Sequence, residues 1–169
     1  MAIKVLYIED EADLCAYIKM KLEATGEFTV VTSTTAQNGE TLVANEQPDM
    51  ILLDVVMPGR SGWDLAKQLK KKSSAFRRIP IIIASGKAEM LFQKKTGEFK
   101  WTPNNPLAKG REALPDVKGA EASTQAYGVD DFISKPFKAE VVIEVLKEVY
   151  QRTRKKSADE DKPKDDSLI

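Results

Sequence analysis

Residues Met50-Ile51-Leu52-Leu53-Asp54 read as four apolar side chains in unbroken succession, closed by a carboxylate. A strand with one wet face alternates apolar and polar residues. A run without alternation is buried on both faces, the condition of a parallel sheet covered by helices on each side. Residues 5–8 and 81–84 have the same unbroken character, and two further short runs, 29–32 and 131–134, complete a set of five. Helix-like stretches separate them, which predicts an α/β fold with a doubly wound parallel sheet.

The first helix is expected from about residue 12, with Leu14, Ile18 and Leu22 at helical spacing and Gly26 able to cap its end. A second is expected over 36–45, stopping before Gln47-Pro48. A third is expected over 62–72, with Trp63, Leu65, Ala66 and Leu69 inward and Lys67, Lys70, Lys71 and Lys72 outward as a solvated face. Another is expected over 120–127, ahead of Gly128. The last is expected over 139–152, burying Val141, Val142, Val145, Leu146 and Val149.

Two segments depart from this rhythm. Residues 86–118 are far longer than the handful that normally connects a strand to its helix. Within them, Leu91-Phe92-Gln93 and Glu98-Phe99-Lys100-Trp101 flank Lys94-Lys95-Thr96-Gly97, a pattern that predicts a hairpin. Phe92, Phe99 and Trp101 are expected to pack, either as a satellite cluster or as a partner-binding surface. Residues 154–169 are charged, contain Pro163 and carry almost no apolar side chain, so a disordered tail is expected.

At 169 residues and 42% hydrophobic, the chain suits one core. Its 26 basic and 26 acidic residues balance, so no general attraction to nucleic acid or an anionic membrane is expected. Cys15 is the single cysteine and reads as a small buried hydrophobe; a reducing compartment is the default. No basic leader precedes Ile3, and no apolar run approaches the length of a membrane helix, so a soluble cytoplasmic protein is expected. The absence of histidine removes histidine catalysis and any phosphohistidine of the chain's own.

Chemistry in an open parallel sheet gathers at the carboxyl ends of the strands. Glu9 and Asp10 follow the first run, Asp54 closes the third, Ser85 closes the fourth and Lys135 follows the fifth. Taken singly, each acid reads as a helix or turn cap. Taken together, three carboxylates on one edge need a cation, and a hard divalent ion such as Mg²⁺ accepts oxygen ligands alongside water and a phosphoryl oxygen. Lys135 would add a second positive charge and Ser85 a hydroxyl donor. Such a set suits phosphoryl transfer to Asp54, the carboxylate held most rigidly, at the end of a central strand. Glu11 reads as a first-turn acid, and Asp64 and Asp130 as ordinary helix and turn residues.

Four segments carry a family resemblance: Ile8-Glu9-Asp10-Glu11, Leu52-Leu53-Asp54-Val55-Val56-Met57-Pro58-Gly59 through Gly62, Ile83-Ala84-Ser85-Gly86, and Asp131-Phe132-Ile133-Ser134-Lys135-Pro136-Phe137. Over residues 3–87 and 119–152 the chain resembles the response regulator receiver domains of two-component systems, the CheY-like superfamily. The resemblance implies a flavodoxin-like (βα)5 sheet in the order 2-1-3-4-5, a receiver over residues 1–153 and an insertion over 88–118. It implies that Asp54 accepts a phosphoryl group, that Asp10 binds Mg²⁺ directly and Glu9 through water, and that the Val56 carbonyl completes the protein's ligands. Lys135 would pair with the phosphate, Ser85 and Phe132 would form a switch pair, and the Lys135-Pro136 bond would be cis. The donor would be a sensor histidine kinase or a histidine phosphotransfer protein. The output would be a downstream protein partner, with neither nucleic acid nor membrane, which makes the chain a stand-alone signalling domain and not an enzyme acting on a separate substrate.

Two features depart from the family pattern: Gly86 stands where alanine is usual, and the insertion has no counterpart. Val56 and Lys87 resemble variable positions that influence dephosphorylation, and apolar Val56 predicts slow loss of phosphate. The alternative reading is a pseudo-receiver that binds partners independently of phosphorylation. A metal-dependent phosphatase is disfavoured, because Val56 occupies the place of its second carboxylate.

Overall fold

The computed structural model describes residues 1–85 and 128–160. The chain forms β1 (Ile3–Ile8), α1 (Ala12–Glu23), β2 (Phe28–Ser33), α2 (Gly39–Glu46), β3 (Met50–Leu53), α3 (Gly62–Leu69), β4 (Ile81–Ser85), β5 (Asp131–Ser134) and α4 (Ala139–Glu160). The strands make one parallel sheet in the order β2-β1-β3-β4-β5, the flavodoxin-like arrangement. The insertion over 88–118, its hairpin and aromatic cluster, the helix over 120–127 and the far end of the tail, 161–169, lie outside the described residues.

β3 is the sheet's centre. All four residues of β3 are buried, with β1 on one side and β4 on the other. Strand periodicity divides the core in two. Val5 and Tyr7 of β1 face a layer with Ile18 and Leu22 of α1 and Val142, Val145 and Leu146 of α4. Leu6 and Ile8 face the opposite layer with Val43 of α2 and Leu65 and Leu69 of α3. Each large aliphatic side chain fully withdrawn from water contributes roughly 1.5–3 kcal/mol, so these two layers supply most of the favourable free energy of folding.

Local sequence sets the boundaries. Gln47 adopts a left-handed conformation, φ 47°, that ends α2 just before Pro48. The helix begins at Gly39, later than residue 36, and Ala36 is buried in the core instead. A Cβ on Gly39 would come within 2.4 Å of the Leu65 side chain, so this glycine lets α2 and α3 approach. Ser61 caps α3, its hydroxyl accepting from the Trp63 amide at 3.2 Å.

Lys70 and the chain beyond residue 152 also differ from expectation. Lys70 does not belong to a solvated face: its side chain is 11% exposed, and Nζ reaches Asp130 Oδ2 at 3.0 Å. The same Asp130 oxygen accepts from the Ile81 amide at 2.9 Å, so this turn residue ties the end of α3 to the start of β4. The last helix also runs beyond residue 152 to Glu160, so residues 154–160 are helical and not a disordered tail. Local contacts carry it onward: Thr153 Oγ1 donates to the Val149 carbonyl, Arg154 Nη1 to Tyr150 Oη at 3.0 Å, and Ser157 Oγ to the Thr153 carbonyl. No helix among the described residues is long and apolar enough to cross a membrane.

Candidate functional site

The carboxyl ends of β1, β3, β4 and β5 form one edge, and backbone bonds fix what stands there. The Asp54 amide donates to the Ile8 carbonyl at 2.9 Å, extending β3 alongside β1, and the Glu9 amide donates to Ser33 at 2.9 Å. Glu9 and Asp54 are therefore held side by side by the sheet itself. Both are withdrawn from water, Glu9 completely and Asp54 to 3% exposure, while Asp10 is exposed.

Glu9, Asp10 and Asp54 each offer a carboxylate oxygen, and these oxygens lie within 4.8 Å of one another. Lys135, just past β5 and joined to Pro136 by a cis peptide bond, brings its ammonium into contact with Glu9 Oε2 and to 3.6 Å from Asp54 Oδ2. Burial pushes the Glu9 carboxyl above its ordinary range, and the Asp54 carboxylate pushes the same way; the Lys135 ammonium opposes both. An all-oxygen donor set of this kind fits a hard divalent cation, with Glu9, Asp10 and Asp54 available to hold it.

Asp54 Oδ1 accepts from the amides of Val55 at 2.8 Å and Val56 at 3.3 Å, which turns the carboxylate back onto the loop after β3. That loop is closed by the Val55 carbonyl, which accepts from Ser61 Oγ at 3.2 Å and the Gly62 amide at 3.3 Å. Gly62 is required there: a Cβ would fall 2.0 Å from the Asp54 carbonyl oxygen. Arg60 anchors the loop to α2 through a bidentate pair with Glu40, at 2.5 and 2.8 Å.

Ser85 closes β4 at the same edge, in register with Ser134. Phe132 is buried on the α3 side, its ring 6.0 Å from that of Trp63 at an interplanar angle of 47°. Val56 is 43% exposed, so its side chain does not close the site. Glu11 stands at the N-cap position of α1, and its amide donates to Glu9 Oε1 at 3.3 Å.

Sequence reasoning missed two contributors. Tyr7 is fully buried and donates its hydroxyl to Glu9 Oε2 at 3.2 Å. It was detectable in principle, because residues two apart on a strand share a face and Tyr7 is the one hydroxyl in an otherwise apolar run. Burial, with the Glu9 carboxylate next in weight, pushes this phenol far above its ordinary range. Arg60–Glu40 carries no such signal, since its partners are 20 residues apart on different elements. Cys15 is buried as expected; its thiol donates to the Glu9 carbonyl at 3.3 Å and is pushed up to about 11, chiefly by burial.

A family model, the response regulator receiver domain, matches residues 5–98. The chain belongs to that family. Among curated relatives of this receiver, the phosphate regulon transcriptional regulatory protein PhoB of Pseudomonas aeruginosa is 30% identical over 149 residues, covering 88% of this chain and 52% of that one. PhoB of Escherichia coli is 30% identical over 152 residues, covering 90% of this chain and 53% of that one. The receiver thus spans about half the length of these regulators. A solved receiver domain protein from Methanospirillum hungatei superposes with a TM-score of 0.65 at 18% identity, covering 92% of this chain and 99% of that one, and supports the fold.

These relatives correct the expectation of no nucleic-acid partner. They are transcriptional regulatory proteins, and transcription is controlled at DNA. Overall charge neutrality could not exclude such a partner, because net charge averages over a surface and says nothing of a local patch.

Proposed function

We propose that this receiver accepts a phosphoryl group onto Asp54 from a phosphohistidine in a Mg²⁺-dependent reaction. The observation that carries the reading is Lys135, whose ammonium reaches both Glu9 and Asp54 where three carboxylate oxygens converge. A cation-binding set beside a buried carboxylate at a rigid strand end is the equipment of phosphoryl transfer.

In the transfer, an Asp54 carboxylate oxygen attacks phosphorus. The P–O bond forms as the P–N bond to histidine breaks, and the electron pair leaves with the histidine nitrogen, which takes up a proton. Mg²⁺, held by Asp10, Glu9, Asp54 and the Val56 carbonyl, would offset charge on the phosphoryl oxygens. Lys135 moves from its contact with Glu9 toward the transferred group and stabilises its negative charge. Asp54 Oδ2, the oxygen that faces Lys135, is the attacking atom, and Oδ1 keeps its bonds to the Val55 and Val56 amides. Ser85 and Phe132 respond as a switch pair and bias the surface around β4 and β5.

The receiver unit we assign starts at residue 1 and, because α4 continues unbroken past 153, runs to Glu160, with the insertion over 88–118. Downstream, the kinship with transcriptional regulatory proteins supports a readout in transcription, through a phosphorylation-dependent contact with a protein or a DNA-binding unit. The test is incubation with phosphoramidate, whose P–N bond stands in for phosphohistidine, with Mg²⁺ or with EDTA. Phosphorylation that requires Mg²⁺ is expected; equal labelling in EDTA would refute the metal dependence.

A further inference from the structure

The Glu9 carboxylate is fully buried and engages three protein donors. Lys135 Nζ and Tyr7 Oη both meet Oε2, the latter at 3.2 Å, and the Glu11 amide meets Oε1 at 3.3 Å. A buried carboxylate left short of donors carries a heavy desolvation cost. Lys135 is the one strong side-chain donor of the three, and it is also the group that must serve a phosphoryl group on Asp54, 3.6 Å away.

Tyr7 differs from its neighbours in the core. It lies in β1 between Leu6 and Ile8, completely buried, in the layer formed with α1 and α4. A phenylalanine would fill the same space. The hydroxyl donates to Glu9, and the Asp54 charge also bears on the phenol.

We propose that Tyr7 is a positioning residue that holds Glu9 in place when Lys135 leaves it for the phosphoryl group. Tyr7 cannot follow Lys135, because its ring is fixed in the β1 layer. Its hydroxyl and the Glu11 amide therefore remain on Glu9 throughout. They keep one oxygen on each side of the carboxylate bonded and its orientation toward the Asp10 and Asp54 oxygens unchanged. Without the hydroxyl, the withdrawal of Lys135 would take from Oε2 the donor it has left, so Lys135 is held back on Glu9. The inference rests on the phosphoacceptor reading of Asp54.

The test is Tyr7→Phe in the full chain, with three measurements. These are Mg²⁺ affinity from Trp63 fluorescence, the rate of phosphorylation by acetyl phosphate at saturating Mg²⁺, and the thermal midpoint. A hydrogen bond to a charged group is being removed, so a loss of about ten-fold in the rate at saturating Mg²⁺ is expected, with weaker Mg²⁺ binding. A purely structural role would lower the thermal midpoint and leave the saturated rate within two-fold of the parent; that result overturns the proposal. A second comparison guards against an indirect effect: in a Glu9→Gln background, Tyr7→Phe should slow the reaction no further. An undiminished effect there also overturns it. If the parent chain takes up no phosphate at all, the phosphoacceptor reading fails and the role of Tyr7 falls with it, an outcome distinct from a variant that matches an active parent.

Discussion

Gly62 backs directly onto Asp54: a Cβ at Gly62 would lie 2.0 Å from the Asp54 carbonyl oxygen and 2.9 Å from its carbonyl carbon. Those are backbone atoms at the end of a fully buried strand, so they cannot swing aside as a side-chain tip can. Gly62→Ala is therefore expected to cost about 3 kcal/mol, at the upper end of ordinary overpacking, and to slow phosphorylation by displacing Asp54. Gly39→Ala meets the Leu65 side chain first, whose tip can shift, and is expected to cost less. Urea unfolding of the two variants checks the order, and a smaller loss for Gly62→Ala would count against the fit described.

Lys135 stabilises the resting site as well as serving the reaction. Lys135→Ala leaves Glu9 buried with the Tyr7 hydroxyl and the Glu11 amide still donating to it. A loss of about 2 kcal/mol is expected, less than for a fully buried pair because the lysine side chain remains 22% exposed. Phosphorylation by acetyl phosphate should fall about a hundred-fold, the scale of losing one preorganised charge-stabilising donor. Urea titration and the rate at saturating Mg²⁺ separate the two effects.

The Arg60–Glu40 pair gives an acid-limb prediction. Hydrogen bonding to Arg60 holds the Glu40 carboxyl below its ordinary value of 4.5 in the folded state. Between the folded and unfolded values the unfolded chain binds the proton more readily, so stability falls as pH falls. The contribution is complete above about pH 4.5 and is lost as pH drops through the folded value. Glu40→Gln should flatten this part of the acid limb and cost at most about 1 kcal/mol at neutral pH, because both side chains remain partly exposed. Unfolding midpoints between pH 3 and pH 7 would show it, roughly the span over which a carboxylate titrates; an acid limb identical in the two proteins would contradict the assignment.

Val56 gives a kinetic prediction. It is apolar and 43% exposed, so its side chain cannot orient a water for attack on a phosphoryl group at Asp54. Slow dephosphorylation is expected, and Val56→Asn should quicken it. Following the decay of the phosphorylated protein by intact mass tests this, and a half-life of seconds in the parent chain would be inconsistent with it.

The fold was legible because burial writes itself into sequence. Met50–Leu53 and the run through Val5 and Ile8 have no alternation, and the structure places β3 and β1 side by side at the centre of the sheet. The positions of Glu9, Asp10, Asp54 and Lys135 at one edge follow from that topology, since each stands just at or beyond a strand end. What escaped notice depends on distance across the fold. Lys70 looks like its neighbours Lys71 and Lys72 until Asp130, 60 residues away, is seen to receive it. Arg60 and Glu40 meet only in the fold, where the pair joins the loop after β3 to α2. Residues 154–160 lacked apolar side chains to bury, yet α4 continues through them on local contacts that a hydrophobic pattern does not register. The expectation about nucleic acid failed for a different reason, since overall charge reports no surface in particular.

Asp54 is where the phosphoryl group must arrive. The parent chain and Asp54→Ala should be incubated with acetyl phosphate and Mg²⁺ and weighed by intact mass spectrometry. The predicted result is a gain of one phosphoryl group in the parent, stable in acid, labile in base and missing from the variant. No gain in the parent, or a gain that survives Asp54→Ala, would contradict it.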